Sequence, residues 1–280
     1  MKRIFKPLFS LLNWLSQKTV GLKLSHVYLR YKSIVGSILK SKAENKYVFI
    51  LSPPFCGSTL LTELIATSKN VSLNNLDGTK EGQLLPKVMA EMFVENRWST
   101  DASFNWPFIK KEWLKYWDIS KPILLEKSPP NIVRPLTIAK HFEPSFFIVF
   151  FRNPYAHAES FTRRGKMTPN NAANFVVECL KHQKRNIETL KNVLLLPYEE
   201  LTNETEDAVN RLIEFLPALV SLNYTKIFKS YNYKKQHLKI TDLTQKKIAN
   251  LTKSQIKDIN SVYESEKGLL QFFGYELMND

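Results

Sequence analysis

Four short apolar runs, separated by stretches of helical periodicity, constrain this chain more than anything else in it. They are Tyr47–Leu51 (YVFIL), Pro122–Glu126 (PILLE), Phe146–Phe151 (FFIVFF) and Val193–Leu196 (VLLL). Runs this short and this apolar suit strands covered on both faces, the habit of parallel sheets. Helical patterns are expected around 59–67, 84–95, 131–141, 154–164, 171–191 and 205–216. Strands alternating with helices require crossover connections, so the expected fold is three-layer α/β, a central parallel sheet flanked by helices. A chain of 280 residues, 44 % of them hydrophobic, suffices for one such domain. No Gly/Ser-rich linker or short-period repeat divides it. The domain is therefore placed at 46–280, behind an N-terminal extension of residues 1–45.

That extension is basic and amphipathic, with Phe5, Leu8, Leu11, Leu12, Trp14 and Leu15 at roughly helical spacing. Lys6, Asn13 and Lys18 break the apolar stretch, so it is no convincing membrane span, for which about 20 apolar residues are needed. No small-residue cleavage site marks a signal peptide. Two readings stay open for it: a helix lying on a membrane surface, or a helix packing on the domain. The net charge of +14 favours anionic partners. No dense Lys/Arg run interleaved with aromatics points to nucleic acid. Cys56 and Cys179 form no disulfide framework or metal cluster, so a reducing, cytoplasmic setting is expected. Four glycosylation sequons, at Asn70, Asn203, Asn223 and Asn250, read as chance in a chain rich in Asn and Lys.

In open α/β sheets ligands bind beyond the carboxyl ends of the strands. Here the four runs end in residues suited to anions or protons: the turn before Thr59, then Lys127-Ser128-Pro129, Arg152, and Pro197-Tyr198. The first turn leads into a helix through PFCGSTLL, Pro54–Leu61. Gly57 lets backbone approach a ligand, and the amides of Gly57, Ser58 and Thr59 at a helix start would bind phosphate. The plain alternative is an ordinary turn capped by Ser58. No Lys precedes Ser58, so a full GxxxxGK[ST] loop is absent and a magnesium-dependent NTPase is disfavoured. Cys56 reads as a small residue without a covalent role, because Thr62 stands where a cysteine phosphatase loop needs Arg. In FFRNPYAHAESFTRRG, Phe150–Gly165, Asn153 suits a helix cap and Pro154 its first turn. Ser160 and Arg164 share a helix face, and with Arg152 they are placed to converge on one phosphate. His157 reads as a helix-surface histidine.

Together these two motifs resemble the sulfotransferases that use 3′-phosphoadenosine 5′-phosphosulfate (PAPS). The resemblance runs from about Tyr47 to Tyr198, with a weaker echo in FFGYE, Phe272–Glu276. It implies a P-loop-like fold and PAPS as co-substrate, without metal. It implies that Phe55, Cys56, Gly57, Ser58, Thr59 and Leu60 hold the 5′-phosphosulfate, and that Arg152 and Ser160 hold the 3′-phosphate. Arg164 and Tyr198 match further nucleotide-binding positions. The Golgi-type and tyrosylprotein-type branches are nearest. The resemblance to them implies that Glu81, in EGQLLP, takes the acceptor proton and that Lys127 stabilises the transferring group. The acceptor hydroxyl is left open among carbohydrate, lipid and tyrosine. One departure stands out: Phe55 occupies a place where most members carry Lys or Arg. Lys127 then carries that role alone, or the site is weakened.

Two other functions fit the same fold class. A P-loop kinase would need the missing loop Lys and a magnesium-binding Asp at a strand end, where Arg152 stands. A nucleotide- or glycan-binding module without turnover would account for Phe55. Residues between about 80 and 120, with Trp98, Trp106, Trp113 and Trp117, are expected on the acceptor side, with core packing the reading for most of the four.

Overall fold

A computed structural model of the chain describes residues 5–39, 44–229 and 237–279. Residues 1–4 and 40–43 of the expected extension, and the side chains of Phe5 and Leu8, lie outside what is described. Two helices come first, α1 (Phe5–Val20) and α2 (Leu24–Leu39). The α/β alternation then runs β1 (Lys46–Leu51), α3 (Ser58–Ile65), β2 (Val71–Leu73), α4 (Pro86–Met92), α5 (Trp106–Leu114), β3 (Ile123–Glu126), α6 (Pro135–His141), β4 (Ser145–Phe151), α7 (Pro154–Thr162), α8 (Pro169–Thr189), β5 (Val193–Pro197), α9 (Tyr198–Asn203) and α10 (Thr205–Phe215). A two-stranded hairpin, β6 (Phe228–Lys229) and β7 (His237–Leu238), precedes α11 (Thr244–Ile248), α12 (Lys253–Tyr263) and α13 (Lys267–Phe272). No described helix is long and apolar enough to cross a membrane.

The five longer-range strands form one parallel sheet in the order β2-β3-β1-β4-β5. Side chains alternate between its two faces, as the pleat requires. Phe49, Leu51, Phe147 and Val149 face a core built with Trp113, Trp117 and Phe142. Val48, Ile50, Ile148 and Phe150 face a second core built with Leu61, Leu64 and Leu212. From β1 the chain runs to edge strand β2, returns through β3 beside β1, and then crosses to β4 and β5 on the other side, so the crevice beside the carboxyl end of β1 is the switch point where such sheets take ligands.

All four expected strands are present within a residue or so. β2 was not expected, since VSL is too short and too polar to stand out. The helix expected over 131–141 is divided: a 3-10 turn covers Pro129–Val133 and α6 starts at Pro135. Proline fits the first helical turn and cannot sit mid-helix, which sets that break. Trp106, Trp113 and Trp117 are buried at 0–2 % exposure, and the Trp117 indole donates to Leu125 O at 3.1 Å.

Candidate active site

The ends of β1, β3 and β4 and the start of α9 surround one cavity. Its wall includes Phe55, Gly57, Ser58, Thr59, Leu60, Glu81, Lys127, Arg152, Arg164 and Tyr198. Those are ten of the twelve expected site residues; the other two, Cys56 and Ser160, are fully buried. None of Trp98, Trp106, Trp113 and Trp117 is part of that wall; Thr79 and Pro129 are.

Gly57, not Ser58, is the N-cap of α3, with φ at 94° and no side-chain cap. A Cβ there would stand 2.8 Å from the Tyr198 ring, so glycine is required for both the backbone turn and the close packing. The first N–H groups of α3, at the positive end of the helix, lie on the cavity side of this turn. Phe55 also lies in the left-handed region, at φ 67°, a conformation costing a non-glycine residue about 1 kcal/mol or more. Its ring packs edge-on against Phe161 at 4.9 Å, and the Arg164 guanidinium stacks over it at 4.4 Å.

The expectation for His157 is overturned. The residue is 2 % exposed. Its Nε2 lies 2.8 Å from the Pro54 carbonyl, to which it donates in that tautomer. Burial pushes its pKa down to about 3, so the ring is neutral and acts as a pin under the first turn. Cys56 lies beside it, Sγ 3.7 Å from the ring nitrogens. Burial pushes the thiol up to about 12, which removes it as a nucleophile.

Beyond β3, Lys127 Nζ lies 3.0 Å from Glu81 Oε1, and Lys127 is almost fully buried. Burial lowers the Lys127 pKa, while Glu81 opposes the shift. The Glu81 loop is held from below by Glu126. The Glu126 carboxylate accepts from Gly82 N at 3.0 Å and also from Ser128 Oγ and Asn131 Nδ2. Burial raises Glu126 to about 7, partly offset by those hydrogen bonds. Asn75 Nδ2 donates to Glu81 O at 2.7 Å, and Trp113 Nε1 donates to Gly82 O at 3.2 Å. Sequence reasoning missed Glu126; the signal was a carboxylate closing an otherwise apolar strand.

Beyond β4, Arg152 stacks on the Tyr198 ring at 4.1 Å and donates to Thr244 Oγ1 at 3.2 Å. Its buried Nε has no hydrogen-bond partner among the described residues, a costly state for a guanidinium. The Ser160 hydroxyl donates to Ala156 O at 2.9 Å and accepts from Lys247 Nζ. Arg164 donates to Ser160 O at 2.6 Å. Lys247, also on the cavity wall, was not expected. It is 7 % exposed, and burial together with Arg152 pushes its pKa down to about 6. Lys239, Thr241 and Leu243 line the same side. The available signal was TDLTQKK, where Asp242 accepts from Thr244 N at the start of α11. Three basic side chains, Arg152, Arg164 and Lys247, thus crowd one end of the cavity; a bound anion would offset the repulsion that, with burial, disfavours the Lys247 ammonium. The FFGYE segment buttresses this end: Phe273 packs on Phe151 at 4.7 Å, and the Tyr275 hydroxyl donates to Glu199 at 2.9 Å.

No protein-family model and no curated protein sequence matches the chain. Among solved structures it is similar to a sulfotransferase from Alicyclobacillus acidocaldarius, with a TM-score of 0.52 and 11 % identity over 85 % of this chain and 98 % of that one. The sulfotransferase domain of the Synechococcus PCC 7002 olefin synthase gives a TM-score of 0.50 at 21 % identity, over 85 % and 98 % of the two chains. The chain has the sulfotransferase fold. The sulfotransferase domain from the curacin biosynthetic pathway, matched over its whole length and 85 % of this chain at TM-score 0.50 and 18 % identity, shares it too. On this fold the cavity sits at the switch point of the sheet, beside β1.

Proposed function

We propose that the protein is a sulfotransferase that takes the sulfuryl group from PAPS and passes it to an acceptor hydroxyl. The observation that carries this reading is the division of one cavity into two ends: the crowded basic side chains Arg152, Arg164 and Lys247, with Arg152 Nε lacking a hydrogen-bond partner among the described residues, and a Lys127–Glu81 pair across from the start of α3. The cationic end suits the 3′-phosphate, with the Ser160 hydroxyl orienting Lys247 from behind. The amides opening α3 suit the 5′-phosphosulfate.

In the step, the acceptor oxygen attacks sulfur as the bond from sulfur to the bridging oxygen breaks. Glu81 takes the acceptor proton, and the electron pair leaves with the nucleotide phosphate. Lys127 and the α3 amides stabilise the charge that develops there. The Golgi-type and tyrosylprotein-type branches are favoured by the Glu81 and Lys127 motifs alone. Phe55 favours a second reading, a binding module without turnover. Against it stand Lys127 and Glu81, paired at 3.0 Å on the cavity wall, which supply a charge-stabilising group and a base of the kind that turnover needs. Titration with the desulfated nucleotide, and with ATP and magnesium as the control, tests the donor site. Tighter binding of ATP and magnesium overturns the reading in favour of a kinase, and PAPS binding without turnover across a broad acceptor screen favours the module.

A further inference from the structure

The helix pair α1–α2 is amphipathic the wrong way round for a domain-packed hairpin. The α2 residues buried on the domain are His26, Leu29, Ser33 and Gly36, mostly small or polar. At Gly36 the approach is so close that a Cβ would overlap the Asp118 side chain. Its opposite face exposes Tyr31, Ile34 and Ile38, at 62–77 %. α1 exposes Leu11, Trp14 and Leu15, while its polar Asn13 and Ser16 make the turn contacts, to Leu24 N and Leu22 O. Nine of the fifteen exposed large apolar side chains among the described residues lie on these two helices. An outward apolar face of this kind marks a surface that another phase or partner covers.

Charge identifies the partner. Residues 1–43 contain nine Lys or Arg and no Asp or Glu. A groove between α2 and α5 continues the exposed face at Ile34 and adds Arg30, Lys110, Lys111 and Lys115. A second copy of the same face would bring like charges together, whereas an anionic lipid surface neutralises them. Exposed Trp14 and Tyr31 suit the boundary between headgroup and acyl chain. From these observations we infer that α1 and α2 dock the protein flat on an anionic bilayer surface, apolar side chains in the headgroup–acyl boundary and the basic groove at the phosphates. The hairpin is fastened to the rest of the chain at the loop leading to Glu81: Lys23 Nζ and His26 Nε2 lie 3.4 and 3.5 Å from Asp77.

Co-sedimentation of the full chain with phosphatidylcholine vesicles, with and without about one-third phosphatidylserine, tests this independently of any transfer activity. The expected result is at least tenfold tighter binding to the anionic vesicles at about 0.1 M salt, mostly lost at about 0.5 M. Two double variants, Trp14→Ser with Leu15→Ser and Ile34→Ser with Ile38→Ser, should each weaken anionic-vesicle binding about tenfold. These positions are exposed, so an unchanged circular-dichroism melt is expected and serves as the folding check. Equal affinity for both vesicle types, or variants that bind as wild type does, overturns the proposal. So does a concentration-dependent dimer that these substitutions abolish, which would make a second copy the occupant.

Discussion

Lys247 gives the cationic end of the cavity a pH signature. Free of ligand, its ammonium is disfavoured by burial and by Arg152 and Arg164, with Glu159 opposing, and its pKa falls to about 6. A phosphate bound between Arg152 and Lys247 reverses the electrostatics and restores the charged form, so binding at neutral pH takes up a proton. The sign follows directly: affinity is highest at low pH and falls as pH rises above about 6, until the pKa of the complex is reached. If that pKa returns to the ordinary lysine range, each unit between pH 7 and 9 costs close to tenfold, about a hundredfold in all. The second ionisation of the phosphate, near 6, is largely complete before this window opens. Calorimetric titration with the desulfated nucleotide at pH 8, in buffers of different ionisation enthalpy, should report uptake of about one proton. Lys247→Met should abolish the uptake and flatten the profile. It should also raise the melting temperature of the ligand-free protein, since a buried lysine forced neutral is a cost to folding. A flat profile in the wild type, or an unchanged slope in Lys247→Met, refutes a phosphate site at this residue.

Arg152→Ala should weaken nucleotide binding by about 2 kcal/mol, and much less for a nucleotide without the 3′-phosphate, measured by the same titrations. Phe55→Arg removes the ring under Arg164 and restores the cation common at that position; if Phe55 weakens the site, initial rates on an identified acceptor should rise. Glu81→Gln should lower kcat at least tenfold while sparing nucleotide affinity, because a base acts on the acceptor and not on the donor.

The parallel sheet was legible because its strands are short, continuous apolar runs separated by helical stretches, the habit of strands covered on both faces. Ten of the expected residues line one cavity; most of them lie just past a strand end or in the turn and helix start that follow, where such sheets take ligands, while Glu81 and Arg164 come from farther along the chain. What sequence could not supply was the return of the chain. Lys247 meets Ser160 across 87 residues, and TQKK on a short helix reads as a solvated charged face. His157 misled for a related reason: its burial comes from the carbonyl of Pro54, 103 residues earlier, and nothing in its own helix announces that partner. For the N-terminal extension the sequence leaves two readings open, a membrane-surface helix or a helix packed on the domain. Helical periodicity over residues 5–15 points to a helix, which α1 is, but periodicity alone does not say whether the apolar face turns inward or out.

Transfer of radiolabelled sulfate from PAPS to an acceptor, compared between wild type and Lys127→Ala, tests the central claim most directly. Lys127 is held beside Glu81 at 3.0 Å, where it can meet charge that exists fully only in the transition state. Removing it should lower kcat about a hundredfold or more and leave binding of the desulfated nucleotide within about threefold of wild type. Equal turnover by Lys127→Ala and wild type contradicts the assignment of the chemistry. Absence of label transfer by the wild type, across sugar, lipid and tyrosine acceptors, contradicts the activity itself.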